Sequence, residues 1–358
     1  MFKEALKTLS TGKSLDEETS YQLFCSLFAN KDITDAQIGA FLMASSILPI
    51  TADMLTGAAR ALREYMIIPE NAPARDELLD TCGTGGSGLN SFNTSTAAAF
   101  VIAGAGQKVA KHGNRASTSK SGSADVLEAL GVRIDCSSTT MIKCLKQSDF
   151  GFFFAPAHHQ ATKRVGAIRR ELGFRTIFNI IGPLANPLSA SKQIVGVSSL
   201  SLLTPVAEAL GRLGATRAIV VHGEDGMDEI TVSGRTNAIE LQMNADGSFS
   251  MLEMTFFPET CGLQRHPLEA VSGQQPEESA KIIESLLANK NSISFDDNRT
   301  LKLQPYADLV CLNAGTGLFV SGRTDSIPEG IKMAQRSITS GRALEVLNLV
   351  RGLSNAES

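Results

Sequence analysis

The sequence predicts an α/β protein with a small helical N-terminal domain and a larger domain on a mostly parallel central sheet. Three observations carry that reading. Residues 1–72 place apolar side chains at helical spacing behind helix-start signals. Beyond Pro69–Pro73 the pattern turns to short apolar strands, each followed by a small-residue turn and a helix. The length of 358 residues suits two domains.

The helical part is read from its caps. Ser14–Glu17 and Thr34–Gln37 both fit the capping box, in which side chains satisfy the free N–H groups of a helix start. Tyr21, Phe24, Leu27 and Phe28 follow the first start, and Ile38, Phe41, Leu42 and Ser45 follow the second. Pro49 breaks the pattern and Thr51 caps a third helix running to Met66. The α/β part begins with a strand at Glu77–Asp80, a Gly/Ser/Thr loop and a helix over Thr94–Ala105. Gln107–Ala110 reads as the next strand, followed by another small-residue loop and a helix over Ser123–Leu130. Phe152–Ala155, Gln193–Val197 and Ala218–His222 read as further strands, Ile230–Leu241 as a small antiparallel excursion around Gly234, and the chain from Pro276 as helical.

Composition narrows the function classes. Apolar residues make up 43% and charged residues 20%, so a packed core is available and a disordered chain is excluded. The net charge of −4, without a basic tail, argues against general nucleic-acid coating. With no Trp and only 3 Tyr, aromatic base-stacking platforms are not obvious. No apolar stretch is long enough to span a bilayer, and the first residues lack a signal-peptide core. Six cysteines without a CxxC pair read as reduced thiols in a cytoplasmic protein.

The most informative stretch is Asp80–Thr96, DTCGTGGSGLNSFNTST. Gly83, Gly85, Gly86 and Gly88 leave backbone N–H groups free to converge on an anion. The helix start at Asn93–Thr96 adds hydroxyls and a positive dipole end. The plainer reading is a tight strand-to-helix turn. Gly83-x-Gly85-x-x-Gly88 matches a dinucleotide fingerprint in letters, but Lys108–Lys111 stand where the ribose-binding acid belongs. A P-loop needs Gly-Lys-Ser/Thr, and Gly88 is followed by Leu89 and Asn90.

From Thr81 to Ala124 there is no Asp or Glu, although the chain carries 37. The same window holds Lys108, Lys111, Arg115 and Lys120, which suits several phosphates unless the run is chance. Its second loop, Lys111–Ala124 (KHGNRASTSKSGSA), also follows a strand and precedes a helix. Both loops are therefore expected at the carboxyl edge of the sheet, gripping a ligand with two separated phosphate groups. Downstream lie His158-His159 and Arg169-Arg170; Arg169 is either a solvated helix residue or a planar clamp for a carboxylate. Glu224, Asp225, Asp228 and Glu229 share one turn, either a solvated hairpin or hard ligands for Mg²⁺ beside phosphates.

These motifs together resemble the anthranilate phosphoribosyltransferase family. The carriers are Gly83–Gly86 with Asn93–Thr96, Lys111–Arg115 with Lys120–Asp125, the run Arg170–Leu184 (RELGFRTIFNIIGPL), Asp228-Glu229 and Leu312–Gly315. The resemblance implies a nucleoside phosphorylase-like phosphoribosyltransferase fold. It also implies Mg²⁺ as cofactor, a homodimer formed through the helical domain, and transfer of phosphoribosyl from phosphoribosyl pyrophosphate (PRPP) to anthranilate in tryptophan biosynthesis. The helical domain, residues 1–72, would take back a segment at about 164–192, with Arg169 and Pro183 at the hinge. Residues 73–163 and 193–358 would form the α/β domain.

By the same resemblance, Gly83, Gly86, Ser87, Ser91, Asn93, Ser95, Thr96, Lys111, Ser119 and Ser123 would contact PRPP. Gly83, Asn114 and Arg169 would contact anthranilate, and Ser95, Asp228 and Glu229 would hold Mg²⁺. Arg169, Asn114 and His112 would serve the reaction, with His112 and His158 as positioning residues. The family usually carries Asp where this chain has Ser87, which implies altered metal dependence or weaker PRPP binding. Two rivals remain: a nucleoside phosphorylase of the same fold, and a non-catalytic nucleic-acid-binding relative.

Overall fold

The computed structural model describes residues 1–356 except 31, 87, 90, 117–119, 274 and 296–299. Ser87 and Ser119 thus lie outside the described residues.

Four helices open the chain: α1 (Phe2–Ser10), α2 (Glu17–Ala29), α3 (Asp35–Ile47) and α4 (Ala52–Glu64). Thr34 and Gln37 form the expected capping box, and Thr51 caps α4 through the N–H of Met54. The start of α2 differs from expectation. Its cap is Asp16, whose carboxylate accepts from both N and Oγ1 of Thr19 at 2.8 Å. A charged acceptor with two donors outcompetes a hydroxyl, and the Ser14 hydroxyl turns instead toward the Pro49 carbonyl.

The sheet follows. β1 (Leu79–Gly83), β2 (Val109–Gly113), β3 (Phe150–Phe154), β4 (Lys192–Gly196) and β5 (Arg217–Gly223) run parallel. β6 (Thr236–Met243) and β7 (Phe249–Phe256) add an antiparallel edge, giving the order β3-β2-β1-β4-β5-β6-β7. The antiparallel part is larger than the excursion expected at Ile230–Leu241, because β6 pairs along its length with both β5 and β7. The strand expected at Gln107–Ala110 also shifts. Its ladder with β3 continues to Gly113↔Phe154, which draws Lys111 and His112 out of the loop and into the sheet.

The chain moves outward from β1 to β3 and then crosses back to β4 on the other side of β1. Loops after β1 and β4 therefore diverge, leaving a crevice at the carboxyl edge where ligands of open α/β sheets bind.

Between the strands lie α5 (Thr94–Gly104), α6 (Ser123–Ala129), α7 (Ser138–Ser148), α8 (Ala155–His158), α9 (Lys163–Leu172), α10 (Phe178–Ile181) and α11 (Leu203–Arg212). After β7 come α12 (Pro276–Leu287), a hairpin of β8 (Ser292–Ser294) and β9 (Thr300–Lys302), then α13 (Gln304–Val320), α14 (Ile327–Thr339) and α15 (Arg342–Asn355). The hairpin interrupts the helical tail read from the sequence.

Two apolar cores result. One covers α5, which is buried on nearly every side between the sheet and α13–α15. Burial of Phe100, Val101 and Ile102 there stabilises by about 1.5–3 kcal/mol each. The other joins α1–α4 to Val165, Ile168 and Ile177–Ala185, and continues onto Val195, Val206 and Val220 behind the sheet. Arg63 of α4 binds across this second core, donating to the carbonyls of Leu184 (2.8 Å) and Leu213 (3.0 Å).

Candidate active site

Five consecutive strand ends supply the site: Gly83, Gly113, Phe154, Gly196 and Gly223 close the parallel strands at one edge. Gly83 pairs with Gly196. The loop beyond it stays attached through the N–H of Thr84, which donates to the Gly196 carbonyl at 2.8 Å. Close approach explains the second glycine. A β-carbon at Gly196 would lie 1.7 Å from the carbonyl oxygen of Asp228, and one at Gly83 would lie 3.3 Å from the Asp228 Oδ2. The Asp228 turn is thus seated directly on the ends of β1 and β4.

Of the four acids in that turn, two are consumed locally. Asp225 accepts from Thr231 and Ser233 at 2.5 Å and from the N–H of Met227 at 3.0 Å. Glu224 pairs with Arg235 at 3.2 Å on the surface. Asp228 and Glu229 remain, facing the first loop. Glu229 Oε1 accepts the N–H of Ser95 at 3.2 Å, so the carboxylate sits at the positive end of α5. Glu229 keeps an edge open to solvent, yet loss of hydration, with Asp228 beside it, pushes its carboxyl up to about 8, against the pull of Lys111. Asn313 of α13 braces the turn from below, bonding both N–H and C=O of Ile230.

The first turn of α5 presents unsatisfied groups. Asn93 Oδ1 and Thr96 Oγ1 are buried without a hydrogen-bond partner, an arrangement that suits a ligand's arrival. Asn93 also joins the two loops, donating from Nδ2 to the Ser121 carbonyl at 3.1 Å. Ser95, in the first turn of α5, has its backbone N–H on Glu229. Ser91, by contrast, forms a backbone bridge with Ser272, which commits its main chain to structure. In the second loop Asn114 is exposed, while its carbonyl accepts the Ser123 hydroxyl at 3.3 Å and the N–H of Ala124 at 3.2 Å. Asp125 gathers the N–H groups of Ala116 and Gly122, each at 2.9 Å.

The basic character of this window is smaller than the charge count implies. Arg115 is paired with Asp125 (3.2 Å) and Glu128 (2.5 Å), and Lys108 with Glu77 (2.7 Å), all acids just outside the window. Lys111, expected to touch phosphate from an open loop, is buried inside the sheet. Its Nζ donates to the carbonyl of Thr81, and burial pushes its pKa down against the attraction of Asp80. Asp80, wholly buried, accepts from the N–H of His112 (3.1 Å) and from Asn186 Nδ2 (2.8 Å). Burial pushes its carboxyl up.

The histidines form a buried cluster. The His112 and His159 rings meet edge to face at 5.1 Å, with His112 Nε2 and both ring nitrogens of His159 lacking a hydrogen-bond partner. Burial holds His112 well below the usual range, and His159 down to about 4, so both are neutral at pH 7. His158 ties down the linker, its carbonyl and Nδ1 both bonding the Ile67 backbone.

Arg169 is partly buried on α9. Its Nη2 donates to Asn179 Oδ1 at 3.0 Å, its Cζ lies 5.6 Å from the Phe178 ring centre, and its Nε is unpartnered. Among the described residues none of its hydrogen bonds reaches Asn114 or Gly83. A separate cleft of about 320 Å³ opens between Ser45–Ile50, Arg175–Ile180 and Ser198–Leu202. Arg175 has no site role in the sequence reading beyond its place in the Arg170–Leu184 run. It reaches from the segment between α9 and α10 to the carbonyls of Gly85 (2.8 Å) and Gly86 (2.5 Å). Its lone-arginine signal is no different from that of a surface residue.

Residues 3–66 match the model of the glycosyl transferase family helical bundle domain, and residues 75–344 match that of the glycosyl transferase family a/b domain. An anthranilate phosphoribosyltransferase from Symbiobacterium thermophilum is 43% identical over 349 residues, 98% of this chain and 96% of that one. The chain belongs to the anthranilate phosphoribosyltransferase family. Another anthranilate phosphoribosyltransferase, from Rhodopseudomonas palustris, is 42% identical and matches 99% of this chain and 98% of its own. The solved anthranilate phosphoribosyltransferase of Thermus thermophilus aligns with a TM-score of 0.85 at 38% identity, covering 98% of this chain and 99% of that one. The Saccharomyces cerevisiae enzyme in complex with PRPP and Mg aligns at 0.83 and 30% identity, covering 99% and 98%.

Proposed function

We propose that this chain transfers the phosphoribosyl group of PRPP to anthranilate, giving N-(5-phosphoribosyl)anthranilate and pyrophosphate in tryptophan biosynthesis. One observation carries the reading: Asp228 and Glu229 stand against Gly83 and Ser95, at the mouth of the glycine-lined loop. Two hard carboxylates beside an anion cradle suit a diphosphate that arrives with a divalent cation. A phosphorylase using inorganic phosphate has no need of that pair. A nucleic-acid-binding role is disfavoured by the pairing of Lys108 and Arg115 with acids.

The donor set fits Mg²⁺. Asp228, Glu229 and the Ser95 hydroxyl are oxygen ligands, and among the described residues no group of three His, Cys, Asp or Glu forms a protein-only metal cage. Magnesium usually completes its shell with phosphate oxygens and water. When bound, it supplies charge neutralisation at the leaving diphosphate. The chain's residues do the rest. Gly83 and Gly86 bring bare backbone against the diphosphate, and Asn93 Oδ1 and Thr96 Oγ1 meet polar groups of the ribosyl phosphate. Ser123, with Ser119, holds the 5′-phosphate on the second loop. Arg169 takes the anthranilate carboxylate, and Asn114 guides the amine. That amine is neutral at physiological pH, so displacement at the anomeric carbon needs positioning and charge stabilisation more than a base. His112, which burial holds well below the usual imidazole range, is a neutral positioning residue packed against His159.

Residues 1–72 with the returning 164–192 segment form the helical unit, and 73–163 with 193–358 the α/β unit. The core that α1–α4 share with Ile177–Ala185 supports the return of that stretch to the helical unit, while Leu188 and Ala190 pack in the other core. The exposed Met43 and Ile47 on α3 support a homodimer through the helical unit. Six free thiols suit the cytoplasm, and among the described residues no helix is long and apolar enough to cross a membrane.

The test mixes the protein with anthranilate, PRPP and Mg²⁺ and follows anthranilate fluorescence. Loss of signal that requires all three components is expected. A persistent signal, with a free base released from nucleosides and inorganic phosphate instead, overturns the reading.

A further inference from the structure

We infer that Arg175 is a positioning residue that sets the donor face of the diphosphate cradle. The guanidinium is partly buried, and its two terminal nitrogens grip successive carbonyls, Gly85 at 2.8 Å and Gly86 at 2.5 Å. It comes from outside the loop, 89 residues downstream of Gly86. Gly86 holds a left-handed backbone, φ +75°, and a β-carbon there would stand 2.5 Å from the Arg175 Cζ. Arginine and glycine therefore fill one another's space.

The consequence follows from the peptide bond. In a trans peptide the N–H points opposite to the preceding C=O. With the Gly85 carbonyl held toward Arg175, the N–H of Gly86 is turned away from the arginine. A glycine-rich loop without such a hold samples many backbone states, and binding an anion would have to freeze it. The arginine meets that ordering cost beforehand. It also keeps a cation near the Asp228 carboxylate, which favours the charged guanidinium while burial opposes it.

Arg175 is further linked to the second substrate's side. The next residue, Thr176, donates its N–H to Asn179 Oδ1 at 3.0 Å, the oxygen that Arg169 Nη2 also contacts at 3.0 Å. The two arginines thus share one short segment, but their tasks differ, and the kinetics separate them.

This inference rests on the reading of the loop as a PRPP cradle. Its test compares wild type, Arg175→Ala, Arg175→Gln and Arg175→Lys by PRPP–Mg²⁺ calorimetry and by steady-state kinetics, with thermal melting as the folding control. Arg175→Ala should raise Kd and KM for PRPP by about tenfold or more, the loss of a charge-assisted bond pair. The KM for anthranilate should stay within about twofold and kcat within about threefold. Arg175→Lys, a point charge without the fork, should recover part of the affinity. Arg175→Gln gives the same split if the alanine variant does not fold. PRPP affinity within about twofold of wild type overturns the inference. So does a loss confined to kcat, the mark of an arginine acting on the leaving group, or an equal rise in both KM values, the mark of general damage. If wild type binds PRPP without turning over anthranilate, the functional reading fails and the calorimetry still judges Arg175. If wild type does not bind PRPP, both fail.

Discussion

The backbone N–H of Ser95 donates to Oε1 of Glu229 across 3.2 Å, joining the start of α5 to the acidic turn after β5. Two segments far apart in sequence are thereby held at the same helix N-terminus. Replacing both acids by Asp228→Asn and Glu229→Gln keeps the shape and removes the charge. The Mg²⁺ concentration for half-maximal rate should rise by roughly tenfold or more. Identical Mg²⁺ titrations of the two proteins would remove these residues from the metal site.

The proposed carboxylate clamp at Arg169 rests on an Nε that lacks a partner, in a guanidinium whose pKa burial lowers. Arg169→Ala should cost roughly 1.5–3 kcal/mol in anthranilate binding, the scale of a charged hydrogen bond. Asn179→Ala, which removes the oxygen steering Arg169, should raise the anthranilate KM by about three- to tenfold and leave the thermal midpoint nearly unchanged. Unchanged anthranilate kinetics in both variants would refute the clamp.

Gly196→Ala tests the seat of the Asp228–Glu229 turn, the proposed metal site. Its β-carbon would overlap the Asp228 carbonyl at 1.7 Å, so the turn must move or the strand must bend. Overpacking of this kind typically destabilises by about 1–3 kcal/mol. A lowered melting temperature together with a weakened Mg²⁺ response is expected. A variant with wild-type Mg²⁺ titration would show that the turn tolerates displacement.

Buried histidines give the fold a pH dependence. His112, His158 and His159 all sit below the usual imidazole range because burial disfavours the cation, His159 at about 4. A base with a lower pKa in the folded state binds fewer protons when folded. Unfolding then takes up protons, so stability is full above about pH 6.5 and falls as pH drops toward 4. Each ring contributes up to about 1.4 kcal/mol per pH unit in that window. The raised Asp80 and Glu229 carboxyls act in the opposite direction, so the informative comparison is His159→Asn against wild type. Denaturant melts from pH 7 to pH 4 should show a shallower loss in the variant. Parallel curves would mean that His159 is not held neutral.

Much of this molecule was legible from residue pattern. The capping box at Thr34, the helix at Ser123 and the parallel strands carry strong local signals, caps and alternation that survive packing. Where tertiary pairing decided, local signals failed. Asp16 won the α2 cap through two donors, and the β2–β3 ladder took Lys111 out of the loop. The acid-free window overstated the positive field, because sequence windows do not show that Glu77, Asp125 and Glu128 fold back onto Lys108 and Arg115. Arg175 was invisible as a loop clamp for the same reason: nothing local marks a side chain that acts across the crevice.

Diffraction from crystals soaked with PRPP and Mg²⁺ tests the central claim most directly. The account predicts diphosphate density against Gly83–Gly86 and the start of α5, a metal between that diphosphate and Asp228-Glu229, and the 5′-phosphate in the second loop near Ser123. Clear PRPP density elsewhere on the protein, with both loops empty, would contradict it.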